Sequence, residues 1–215
     1  MTPEAVVHYL KQHPEFFDEQ SEFLSTVVLP HPHGGRTVSI SERQILTLRE
    51  KGKQLEDKLR ELIEFGEQND AIGEKMHRLT LALIAARDAE AAINALYFHL
   101  REDFAVPHTV IRLWPQWDHP QTPEFAEVSM AARDFAASLA NPYCCAKAMV
   151  DTAEWFGDDA QHLRSFAYVT LKSEETIGLL AMASEDAQRF YPEMGTLYLK
   201  RLGDLAAVTL LRYLA

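Results

Sequence analysis

Ser165-Phe-Ala-Tyr-Val-Thr-Leu-Lys-Ser-Glu-Glu-Thr-Ile-Gly-Leu-Leu-Ala-Met-Ala-Ser184 is the stretch that decides the fold. Residues 165–172 and 176–183 are rich in β-branched, aromatic and aliphatic side chains, and Ser173-Glu-Glu175 between them is short and polar. That spacing predicts an antiparallel hairpin. Ile177 to Ala183 is apolar on both alternating faces, so the second strand needs cover on both sides. Downstream, a closing helix is expected from about Pro192 to Tyr213, with Met194, Leu197, Leu202, Leu205 and Val208 inward.

Working upstream, the pattern mixes helices and strands. Tyr143 to His162 suggests a short strand and an irregular connection. Met130 to Leu139 has a helical pattern that Asn141-Pro142 stops. Thr109 to Trp114 forms a strand bounded by Pro107 and Pro115, and the proline-rich Trp117 to Pro123 is a loop. Ala89 to Phe104 is helical, with Ile93, Leu96, Tyr97 and Leu100 on one side. The expected class is α+β, an antiparallel sheet flanked by helices, occupying residues 76–215.

Residues 39–75 predict a long helix. Ser39 with Glu42, or Ser41 with Gln44, offers a capping box. Ile45, Leu48, Leu55, Leu59 and Leu62 then keep alternating three- and four-residue steps, with Gly52 in one gap. Phe65, Asn69, Ile72, Met76, Leu79 and Leu83 continue the rhythm, after a local stammer at Leu59–Phe65 beside Gly66. From Glu42 to Arg78, nine acidic and eight basic residues occupy the outer positions. This predicts a coiled-coil-like helix that dimerises through Ile45, Leu48, Leu55, Leu59, Leu62, Asn69 and Met76, Asn69 fixing register. The alternative is a helix that folds back on its own domain. Residues 1–38 read as a small helical cap and loop. Thr2-Pro-Glu4 starts a helix; Val6, Tyr9, Leu10, Phe16, Phe17 and Phe23 need somewhere to dock; Leu29 to Arg36 is loop on composition.

The bulk numbers exclude some classes. The chain of 215 residues carries a net charge of -11. Twelve acidic against four basic residues lie between Asp88 and Leu163. No basic face is available for a phosphate backbone, so direct nucleic-acid binding is not expected. No apolar run approaches the roughly 18 residues of a membrane span, and the amino terminus has no signal-peptide pattern. Adjacent Cys144 and Cys145 suit a reducing cytoplasm.

The closing hairpin and helix resemble the end of GAF domains. Tyr9-Leu10, Pro14-Glu-Phe-Phe17, Leu29-Pro-His31, Val38-Ser-Ile-Ser-Glu-Arg-Gln44, His77-Arg-Leu-Thr-Leu-Ala-Leu83 and Ser184 through Gly195 extend the match to nearly the whole chain. Together they resemble a bacterial GAF-like family of unknown function, number four hundred eighty-four in the domain-of-unknown-function series. Members are often encoded beside a tyrosine site-specific recombinase, an association that assigns no activity. The resemblance implies a GAF-like fold with a small-molecule pocket on one sheet face. It departs at Cys145-Ala146, where relatives carry Cys-Gly, and the Asn-Lys-Phe-Asp signature of cyclic-nucleotide binding is absent. The resemblance leaves the cofactor unknown.

On that reading, Arg112 and Trp114 with Val110 share one face of the first strand, and Phe166 and Tyr168 with Thr170 share one face of a later strand. Either set, with Tyr143, Cys145 and Trp155, is a candidate pocket lining. A half-buried Arg112 demands an anionic or carbonyl partner; the competing reading pairs it internally with Asp134 or Glu127. His31 and His33 form an incomplete metal motif. His108 reads as an ordinary strand-end residue. The cysteines invite a redox reading, with Lys147 the nearest cation. No phosphate loop, nucleophile elbow or zinc motif is present. The expectation is a non-enzymatic, homodimeric, cytoplasmic sensory or regulatory module. An interaction scaffold for a partner protein is the alternative, and an enzyme or redox sensor the second alternative.

Overall fold

The computed structural model describes residues 2–30, 37–114 and 122–214, and the chain divides into two compact units, Met1–Glu67 and Gln68–Ala215. In the first, α1 (Pro3–Gln12) begins as its sequence predicts. The Thr2 hydroxyl accepts the Ala5 N–H at 3.4 Å, Pro3 occupies the first turn and Glu4 faces the positive dipole end. Pro14 resets the chain into α2 (Glu15–Glu19), followed by α3 (Ser21–Thr26). Val6, Tyr9, Phe17 and Phe23 are 39–57% exposed. Residues 29–30, expected as loop, instead belong to β1 (Val28–Pro30), which pairs antiparallel with β2 (Thr37–Ser39). Val27, Val28, Leu29 and Val38 favour extended backbone, and that preference outweighs the flanking prolines.

α4 runs unbroken for 46 residues, Ile40–Ala85. It passes through Gly66, the stammer and the expected boundary at 75/76.

In the second unit, residues 68–85 of α4 are followed by α5 (Ala89–Glu102), capped by an Asp88 carboxylate that accepts the Ala91 N–H at 2.7 Å. Then come β3 (His108–Leu113), a 3-10 turn Pro123–Phe125, α6 (Met130–Ser138) and β4 (Tyr143–Cys145). A 3-10 segment, Thr152–Gln161, leads to the hairpin of β5 (Ser165–Lys172) and β6 (Thr176–Ser184), and α7 (Leu197–Leu214) closes the chain. The strands form one antiparallel sheet in the order β3-β6-β5-β4. The class is α+β. No helix among the described residues is long and apolar enough to cross a membrane.

The register divides the sheet side chains cleanly. One face carries Ile111, Leu113, Val169, Leu171, Leu180 and Met182, packed under Leu79 and Leu83 of α4, Leu96 of α5, and Leu202, Ala206 and Leu210 of α7. Cys144 belongs to this face and Cys145 to the other, so neither cysteine faces solvent. Two glycines permit the close packing. A Cβ on Gly178 would lie 2.5 Å from the Arg112 carbonyl oxygen, and one on Gly203 2.5 Å from Val169 Cγ1. Two features of α7 differ from the expected helix. Its inward stripe is Leu202, Ala206, Ala207 and Leu210, while the expected Leu197 and Val208 are 57% and 63% exposed. The helix starts later than Pro192 because a turn closes first, the Met194 N–H bonding the Tyr191 carbonyl at 3.0 Å.

Candidate functional site

The second sheet face gathers the residues that the alternation pattern nominates. Val110 and Arg112 on β3 lie opposite Ala181 and Leu179 of β6, which in turn face Tyr168 and Thr170 of β5. β4 adds Tyr143 opposite Tyr168 and Cys145 opposite Phe166. The two candidate sets therefore occupy one face, roofed by α6 and the 150s segment through Ala136 and Phe156.

The candidates differ in what they can offer a ligand. Tyr168 is fully buried. Its hydroxyl accepts the Met149 N–H at 3.0 Å and lies 2.6 Å from Thr152 Oγ1, which itself donates to the Met149 carbonyl at 2.6 Å. One proton assignment satisfies all three groups: Tyr168 donates to Thr152. This closed ring ties the roof to the sheet and holds Val150 at a φ of 52°, a left-handed conformation that a β-branched side chain disfavours. Phe166 is buried, stacked on Tyr168 at 6.5 Å and edge-on to Phe156 at 6.0 Å. The Trp114 indole N–H donates to the Thr176 carbonyl at 2.8 Å. Tyr143 stays 42% exposed at the outer edge. These four build walls and roof.

Arg112 is different. It is half-buried, with its guanidinium carbon 5.3 Å from the Trp155 ring centroid. One contact is made within its own strand, a 3.3 Å bond from Nη1 to the Ile111 carbonyl. Burial lowers its affinity for a proton, against the smaller opposing pull of Tyr97 and then Glu124. It forms no ion pair among the described residues, and Asp134 and Glu127 do not partner it. A second guanidinium, Arg133 on α6, lies 5.7 Å over the Trp114 ring with its Nε buried and unbonded. Two arginines stacked on two tryptophans thus border the same cluster.

Sequence reading missed Arg133, Tyr97 and Glu124. Glu124 is 8% exposed and accepts the Tyr97 hydroxyl at 3.0 Å, while that hydroxyl receives the Ile111 N–H at 3.3 Å. Burial and the adjacent carboxylate push the Tyr97 phenol well above its ordinary range, so it stays a donor. This caps the outer edge of β3, and only the fold brings the three together.

The thiols suit structure better than chemistry. Burial pushes Cys144 up to about 11 and Cys145 in the same direction, and Cys145 Sγ sits 3.1 Å from the Lys147 carbonyl. His31 and His33 lie outside the described residues. Among the described residues no three His, Cys, Asp or Glu side chains gather as a metal site.

The helical seam divides between the units. Ile45, Leu48, Leu55, Leu59 and Leu62 are 48–68% exposed. Met76, in contrast, packs against the core of the second unit, and the Asn69 carbonyl accepts the Tyr198 hydroxyl at 3.3 Å. Met76 is therefore a packing residue of its own chain, because the seam turns into the sheet-covering face of α4.

A family profile described as "Protein of unknown function, DUF484" matches residues 1–215. The chain is 23% identical over 221 residues to the uncharacterized protein YigA of Salmonella typhimurium, covering 98% of this chain and 91% of that one.

Proposed function

Since the chain belongs to that family of unknown function, we propose that it is a non-enzymatic, dimeric, GAF-like regulatory module of the cytoplasm, binding a small molecule on the sheet face beside Arg112. One observation carries the reading: a half-buried guanidinium stacked on Trp155 with no ion-pair partner among the described residues. A charge so placed favours an anionic or carbonyl group, which Arg can meet with two parallel donors. Arg133 and the tryptophans suit a small, flat, anionic molecule with an unsaturated body. The antiparallel sheet, with α4, α5 and α7 on one face and a roof of α6 and the 150s segment on the other, supports the GAF-like assignment. Regulation follows if the ligand prefers one of two arrangements of paired α4 helices.

Native mass spectrometry of protein purified from its own host tests this. The expected result is a retained small-molecule mass, lost in Arg112→Ala while the fold persists. A clean apo mass, with no thermal shift across a panel of anionic metabolites, would sink the reading. The exposed stripe from Ile45 to Leu62 favours a second reading, a scaffold for a partner protein. A partner that copurifies with Arg112→Ala but not with Leu55→Asp would support the scaffold.

A further inference from the structure

A groove of about 390 Å³ lies on the opposite, helix-covered side of the sheet, where α4, the end of α5 and the start of α7 meet. Its floor is core: Leu100, Met182 and Leu202 are at most 3% exposed. Its walls include Met76, Phe104 and Met194, so three methionines line it in all. Thioether side chains repack at low cost around chains of different length and bend.

The rim is polar in one sense only. Among the described residues no acidic side chain lines the groove, although the chain carries a net charge of -11. Two cations converge on Phe104: Lys75 Nζ lies 6.0 Å over its ring, and Arg189 donates a short hydrogen bond to its carbonyl. Neither forms an ion pair among the described residues. Phe104 is held there by a backbone turn, Ala105 at a φ of 52° and the Val106 N–H returning to the Leu100 carbonyl at 2.9 Å.

We propose that this groove is a second binding site, for a medium-chain alkyl carboxylate whose tail lies against the methionines and whose head sits between Lys75 and Arg189. Volume and lining match a small-molecule site, largely apolar with a few convergent polar groups, and the unopposed cations select the sign of the head group. The assignment does not rest on the sheet-face reading, since the two sites lie on opposite faces and share no residue.

The test is calorimetric titration of the full chain with dodecanoate below its micellar range, with dodecanol as the uncharged control. Saturable one-to-one binding of dodecanoate is expected, at least tenfold tighter than any uptake of dodecanol. Lys75→Gln should weaken it severalfold, and Met194→Trp, which fills the groove from its rim, should abolish it with the circular dichroism spectrum unchanged. Arg112→Ala should leave it intact. Absence of saturable binding, equal uptake of acid and alcohol, or loss on Arg112→Ala in place of Met194→Trp would overturn the assignment. A groove covered by a second copy of the chain would read as no uptake with a Lys75-anchored crosslink between copies, and that also overturns it.

Discussion

At the residue scale, Gly178 and the cysteine pair make opposite demands on their surroundings. Gly178 has no room for a methyl group, since its neighbours are a backbone oxygen and Leu113 Cδ2 at 2.7 Å. Gly178→Ala must move β3 away from β6. A loss of about 1–3 kcal/mol is expected from such overpacking, read as a lower urea midpoint at unchanged slope; an unaltered midpoint would show that the strands shift freely. The sequence marks this glycine because it interrupts an otherwise bulky strand. The cysteines are surrounded by core on either face of β4, and their raised proton affinity keeps little thiolate at pH 8. Native protein should react with a thiol reagent at least tenfold more slowly than urea-unfolded protein, and equal rates would return the redox reading to consideration.

At the scale of elements, the join between α4 and α5 depends on charge. Asp103 accepts hydrogen bonds from Arg78 at 2.6 Å and from His99 at 2.5 Å, and these hold its carboxyl below its ordinary 3.8. The folded state therefore binds this proton less readily than the unfolded chain. The resulting stabilisation is present above about pH 4 and disappears as pH falls through the lower, folded value. Asp103→Asn should cost stability at pH 7 and much less near pH 3 in parallel urea titrations, whereas a pH-independent difference would assign Asp103 a packing role only. The hairpin, the strand alternation and the presence of a closing helix were legible, since period and turn chemistry act within a few residues, but the start of that helix and its inward stripe were not. The clamp of Tyr168 to Met149 and Thr152 was not, because it joins residues with no shared period. Nor were Tyr97 and Glu124, whose partnership spans 27 positions. For the pocket candidates, alternation supplied the face but not which side chains have donors to spare, as Arg112 does with a single bond to its own strand.

For the whole molecule, the exposed stripe of α4 predicts association. Leu48, Leu55, Leu59 and Leu62 are 58–68% exposed at heptad spacing, an arrangement that favours a second helix over water. Light scattering at micromolar concentration should report a dimer, and Leu55→Asp with Leu59→Asp a monomer; a monomeric wild-type chain would remove pairing from the account. The sequence showed this seam readily, but not that its later turns serve the sheet, since one heptad rhythm can serve two partners in succession. The central strand has a further consequence. Ile177 to Ala183 carries no charge, and both of its edges are paired inside the sheet. Should β3 or β5 detach during synthesis or heating, this run becomes an uncharged, strand-forming template of the kind that seeds aggregates. Glu174 and Glu175 precede it and Glu185 and Asp186 follow it, so like charges bracket the hazardous segment and repel a second copy that would stack on it. The acidity that argues against nucleic acid thus also guards the chain while it is incompletely folded.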